Sequence, residues 1–377
     1  LTSGRENIFM GSDAGGAVSS GLLNIGIGRN ALKATTTGNG IVAVGHDAIS
    51  VGDPDSDTVA FGNGALMNAA AGSLRNTALG HQAGSDHTTG DDTVYVGTNA
   101  GMQNRSGNNN TYVGSQAGEG VDNNSNHENV SVGMQSLHVI TTGGANTALG
   151  TYAGIALTTA SGSVIIGGDS GKTITTGNQN IAIGVGAMSG GTVTGDNNIA
   201  IGRSAGDALT SGAKNVFIGL NAGSAEDAGS NNIGIGPNAL AVCNNDTGAN
   251  VAIGNSAGLL IVAGYSNTLV GNGAGSSLTG GLNNILLGRN AQASAVGGTN
   301  QIVLGKDAAG HGDNIAVIGN TSMTAWHPAD DNGVALGSAS YRFSDVFAVQ
   351  TTTGGIFESG LKTDKIGDNL TGTIVVW

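Results

Sequence analysis

The sequence predicts an all-β fold, a parallel β-solenoid of the β-roll or β-helix type with about 18 coils and a 17-residue repeat. Three observations carry that prediction. A glycine closes a short apolar run again and again, from Gly11, Gly28 and Gly45 to Gly288 and Gly305. Of the 17 intervals among these 18 glycines, 13 are 17 residues, three are 18 and one is 19; a fixed period of this kind marks a stacked repeat architecture. Within each unit the apolar positions alternate with period two and β-branched residues dominate, a strand pattern rather than a helical one. Composition agrees: 69 of 377 residues are Gly, aromatics are 3 % and charged residues 10 %, too few bulky groups for a wide core but enough for a narrow one. Ile and Val at fixed places throughout argue against disorder.

Each column of the repeat, counted from its glycine, has its own chemistry. Four before it, Asn fills 13 of the 18 units, and stacked amides there would satisfy polar turns coil by coil. Three before it stands Ile, Val or Thr; one before it stands a large apolar residue. These two sites point the same way on a strand and are expected to fill the coil, with Ile27, Val44, Ile183, Ile201, Ile218, Ile235, Ile253 and Leu287 as its stacked core. The glycine itself is expected at a turn with backbone angles that other residues avoid. Three after it, Ala occupies 16 of 18 units, where the coil is too thin for more. A Thr/Ser/Gly/Asn segment then turns the chain back. Equivalent strands about 4.8 Å apart make a rod of roughly 85 Å. Regularity ends near residue 319, because Gly319 follows Gly305 by only 14 residues.

The residue two before each glycine is expected to point outward, and none of the 18 is charged. A water-facing strand surface should be polar there. The stripe would cover roughly 900 Å², beyond the largest patch of a typical monomer. Its burial would contribute about 20 kcal/mol as an upper bound. Phe9, Tyr95, Tyr112, Ile165, Phe217, Leu269, Leu286 and Val303 are therefore expected at the interface of a homo-oligomer with parallel chains about one axis. The alternative is a coil with both strand faces internal, leaving a monomer.

The units Asn180-Ile-Ala-Ile-Gly184 and Asn250-Val-Ala-Ile-Gly254, each followed by Ala three residues on, resemble the head repeats of trimeric autotransporter adhesins. Those repeats are shorter than 17, so loop geometry does not carry over. The longer form, as in TGDNNIAIGRSAG, is similar to repeats of bacteriophage tail fibres, and the likeness covers residues 1–319. GVALGSASYRFSDVFA, residues 333–348, resembles the segment that precedes an endosialidase-type intramolecular chaperone in phage fibres and spikes. Together the likenesses imply a parallel homotrimer, a structural rod of a tail fibre in the virion that presents host-attachment surfaces. Its partners would be its own copies, other tail or fibre proteins and a host cell-surface glycan or protein. The head of a bacterial surface adhesin is the alternative; heptads and anchor strands expected of one are not visible. Residues 320–377 are expected to form a small β cap or tip module holding Trp326, Tyr341, Phe343 and Phe347. The chain opens on Leu1 rather than Met and reads as a fragment or ordered region of a longer protein.

Other functions find little footing. Net charge is −13 and basic residues are scattered, which disfavours nucleic acid and anionic lipid. No apolar run approaches a membrane span, the longest being Leu259 to Ala263. Cys243 is alone and forms no internal disulfide. GGDSGKT, residues 167–173, has the wrong spacing for a phosphate loop, since Ile166 stands where a glycine is needed. Asp53, Asp55 and Asp57 alternate as in a calcium loop, but Thr58 and Gly64 occupy positions that require Gly and an acid. The seven His residues show no ligand spacing. Acids lie in turns without the apolar surroundings of a raised catalytic pKa. Neither enzyme activity nor a cofactor or metal is expected. Residues 119–129, in the longest unit, are expected to bulge as a solvated loop.

Overall fold

The computed structural model describes residues 3–121, 124–243, 248–326 and 340. The chain divides into two compact units, Leu1–Met323 and Thr324–Trp377; within the second, only residues 324–326 and 340 are described.

The first unit is a parallel β-solenoid. Among the described residues there are nineteen strands of three residues and no helix, from β1 (Ile8–Met10) to β19 (Ala316–Ile318). Each strand pairs in parallel with the next in sequence, without slippage. The stack of β11 (Ile181–Ile183), β12 (Ile199–Ile201) and β13 (Val216–Ile218) sets Ile183 beside Ile201 and Ile201 beside Ile218. Backbone hydrogen bonds continue the stacking outside the strands: Ile199 N donates to Asn215 O at 2.8 Å and Ser204 N to Val185 O at 3.1 Å. The repeated glycine is where consecutive coils approach closest. Gly184 has φ of 129°, and a Cβ there would lie 2.6 Å from Gly202 O.

The facing of the strands is opposite to the sequence expectation. The central residue of the strand points into the coil: Tyr95, Tyr112, Ile165, Phe217, Leu269, Leu286 and Val303 are fully buried within one chain, and Phe9, on the first rung, is half-buried against the core. They are core residues, not an oligomer interface. Ile27, Val44, Ile183, Ile201, Ile218 and Ile235 are only half-buried, and Ile253 and Leu287 are exposed. The expected core column is the outer face.

The reason is the thinness of the interior: a bulky central residue leaves no room for a second side chain directly opposite it. For six of the large central strand residues, the residue six further on is Gly, as in Phe9/Gly15, Tyr95/Gly101 and Phe217/Gly223. A Cβ on Gly15 would stand 2.7 Å from the Phe9 ring. In six rungs where the central residue is small, the same place holds a large buried side chain, as in Gly26/Leu32, Ala43/Ile49 and Ala182/Met188. In the rungs of Ala78, Ala148, Ala200 and Ala252 it stays Gly, and the large buried group stands three residues further on, as His87, Leu157, Leu209 and Ile261. Leu32, Ile49 and Met188 hold left-handed backbone, with φ of 54°, 47° and 51°. That conformation costs on the order of 1–3 kcal/mol for a non-glycine residue, comparable to what burying such a side chain contributes.

Polar ladders complete the coil. Asn198, Asn215, Asn232 and Asn250 are buried in the expected column. Asn215 Oδ1 accepts from Asn232 N at 2.9 Å, while its Nδ2 donates to Gly229 O at 2.8 Å. A second ladder runs through the Thr-rich turns: the hydroxyls of Thr141, Thr158 and Thr210 each donate to the carbonyl at the same place in the following coil, at 3.0, 3.2 and 2.8 Å. Among its described residues, the long unit turns part of the expected loop inward, while Val121, His127 and Glu128 stay exposed. Asn124, Asn126 and Asn129 are buried, and Tyr112 Oη donates to Asn126 Oδ1.

Candidate interaction surface

The outer face of the stacked strands is the broadest candidate site. Across β1 to β18 (Ile302–Leu304), each rung presents its first and third residues outward: 36 positions, of which four are Thr and the other 32 apolar. Exposure reaches 64 % at Met10 and 53 % at Phe61. No charge interrupts the face. Two outward residues per rung give a ridge about 10 Å wide running the length of the strand stack. A continuous apolar strip of that size is characteristic of a surface that another surface covers. The uncharged outer stripe expected from the sequence thus lies on the same strands but on the opposite parity. The signal that fixes the parity is the Asn column, which shares it with the central strand residue; buried amides require that residue inside as well.

Two motifs with the look of ligand sites are parts of the coil. In residues 167–173, Ser170 is buried and donates to Ala182 O at 2.8 Å, Gly171 packs against Ile165, and Lys172 pairs with Asp169 at 3.1 Å. The three aspartates of residues 53–57 diverge. Asp53 bonds back to Thr36 N and Oγ1, whereas Asp55 accepts from Gly72 N at 3.0 Å in the coil ahead. Among the described residues no three His, Cys, Asp or Glu side chains converge as a metal site, and no helix is long and apolar enough to cross a membrane.

Inside the solenoid a polar joint separates two apolar clusters, one spanning Ala31–Ala117 and the other Leu137–Ala308. Tyr95 and Tyr112 stack with centroids 5.7 Å apart. Tyr95 reaches across the core: its Oη accepts from Asn104 Nδ2 at 3.1 Å and lies 3.4 Å from His87 Nδ1. His87 Nε2 lies 2.8 Å from Gly90 O and Nδ1 3.0 Å from Asn104 O. Burial pushes the His87 imidazolium down and the Tyr95 and Tyr112 phenols up, so all three are held neutral. Further along, Glu226 is buried and accepts from Gly229 N at 2.7 Å and Asn232 Nδ2 at 3.2 Å. Burial, then the neighbouring Glu226, push the Cys243 thiol well above its usual range. Sequence spacing does not reveal these groups, because they meet across the coil rather than along it.

Of the expected cap residues, Trp326 is described and is 71 % exposed. Tyr341, Phe343 and Phe347 lie outside the described residues. No protein-family model matches the chain, and no curated protein matches it.

Proposed function

We propose that the chain is the shaft of a self-assembling fibre, a parallel homotrimer that serves as a structural rod of a phage tail fibre and holds host-attachment surfaces away from the particle. The observation that carries this reading is the uncharged outer strand face. A ridge of roughly 85 Å by 10 Å is about 900 Å² per chain, close to one partner's share of a stable protein interface. Covering it would offset association costs with up to about 20 kcal/mol per chain. Three copies, rather than two, follow from the likeness of the repeats to adhesin heads. The tail-fibre assignment rests on the longer repeat form and on residues 333–348. Rod function suits the coil itself, since stacked strands leave unpaired edges only at the two ends of the stack.

The mass in solution tests the reading. The expected value is three times the 36.7 kDa chain, and a single-chain mass would overturn it. Ile201→Lys with Ile218→Lys, both on the outer face, should release folded single chains, because neither position fills the coil.

A further inference from the structure

We propose that a notch in the wall across the core from the strands is a saccharide-binding site for an uncharged sugar unit bearing a vicinal diol. The proposal rests on the fibre reading and deepens it by giving the rod an attachment site.

The notch exists because one interior column changes size. Seven residues after the repeat glycine, that column holds Leu157, Ile174, Leu209, Ile261 and Leu278 in other coils, with Gly191 a single small residue between Ile174 and Leu209, but here two successive coils carry the small Gly52 and Ala69. The backbones of the two coils also approach closely there: a Cβ on Gly52 would collide with Ala69 O. The result is a depression of about 410 Å³ lined by Val51, Gly52, Asn68, Ala70, Asp86, Thr88 and Arg105, within the size range of ligand pockets. Its lining comes from four successive coils, a span of about 14 Å at the strand spacing, which suits one or two sugar rings lying along the rod.

The lining has the chemistry of a diol site. Asn68 Nδ2 donates to Asp86 Oδ1 at 3.2 Å, so the amide and carboxylate are held side by side. Asp86 Oδ2 keeps its capacity to accept from one sugar hydroxyl, while Asn68 Oδ1 and its second N–H serve the neighbouring one. Hydrogen bonds to a carboxylate are the stronger kind. Val51, 63 % exposed, and Ala70 offer an apolar patch to the C–H face of the ring. Thr88 is fixed by its own bond to Arg105 O at 2.8 Å. The acid inside the notch and the chain's net charge of −13 select against acidic sugars. Tyr95 reaches from the strand wall to His87 and Asn104 in the notch wall. The notch therefore stays outward when strand faces meet at an axis, and three weak sites on one rod would act multivalently.

Saturation-transfer NMR on the full chain with maltose, lactose, cellobiose and chitobiose tests this, with glucuronate as the acidic comparison. Transfer to at least one neutral disaccharide is expected, weakened about tenfold or more by Asp86→Asn and by Asn68→Ala. Asp13→Asn, exposed on another coil, should leave it unchanged. No transfer from any of the four, transfer unaffected by both notch variants, or a preference for glucuronate overturns the proposal. The mass of the same samples separates the two readings: a trimer without binding sinks the notch alone, whereas a single chain that binds sinks the trimeric shaft alone.

Discussion

At the scale of single residues, this coil is governed by volume. Phe217 fills its rung, and a Cβ on Gly223 would stand 2.5 Å from Phe217 Cε1. In the next coil the large and small places are exchanged, with Gly234 on the strand and Leu240 in the turn. The two positions should therefore couple. Phe217→Ala alone leaves a cavity and is expected to cost about 3–5 kcal/mol; Gly223→Leu alone overfills the rung. Combining Phe217→Ala with Gly223→Leu should recover at least about 1 kcal/mol relative to the sum of the single changes, read as a double-mutant cycle on unfolding midpoints. Additive effects would mean that the two sites do not share one space. This exchange is present in the sequence as Gly, Ala, Phe and Tyr alternating in one column against Leu, Ile and Gly in another. It stays hidden as long as β-branched residues are taken to mark the inside. Strand propensity and outward assembly can demand Ile and Val just as strongly as a core does.

At the scale of the element, period and register are legible and depth is not. The recurring glycine and the Asn column set every strand and its unslipped pairing with the next, because a stacked coil must place like over like. The 119–129 unit misleads for a complementary reason: polar composition suggests solvent, yet Asn124, Asn126 and Asn129 are inside, serving a polar joint that Tyr95 and Tyr112 impose. That joint gives the solenoid a pH-dependent segment. Burial holds His87 below its ordinary 6.5, ahead of the opposing influence of the Gly90 and Asn104 carbonyls and of Asp91. The unfolded chain thus binds a proton that the folded one resists. The His87 contribution to stability is fully present above pH 6.5 and is lost as pH falls from there toward the lowered folded value. His87→Asn, which repeats the residue that Asn104 supplies in the same column, should flatten the loss. Melting temperatures from about pH 7.5 down to 5 test it, and equal slopes for the two proteins would show that His87 is not the group responsible.

At the scale of the whole molecule, a one-dimensional stack has a property that a globule lacks: each rung can meet only the same rung of a parallel, in-register neighbour. Cysteine cross-linking can therefore read polarity and register directly. The native thiol will not interfere, because Cys243 is buried and held protonated. A thiol introduced by Ile201→Cys, at the end of β12 on the outer face, should be captured by a trifunctional maleimide as a covalent trimer. A mixture of Ile201→Cys and Ile302→Cys chains should give no mixed product, since β12 and β18 lie six rungs apart, about 29 Å along the rod. Mixed links would mean a shifted register. A fully overlapping antiparallel arrangement would instead leave Ile201→Cys unlinked to itself, because β12 would then face β7 (Thr111–Val113) or β8 (Val130–Val132). Either result would remove the shared axis on which the proposed rod depends, while leaving the coil of the single chain intact.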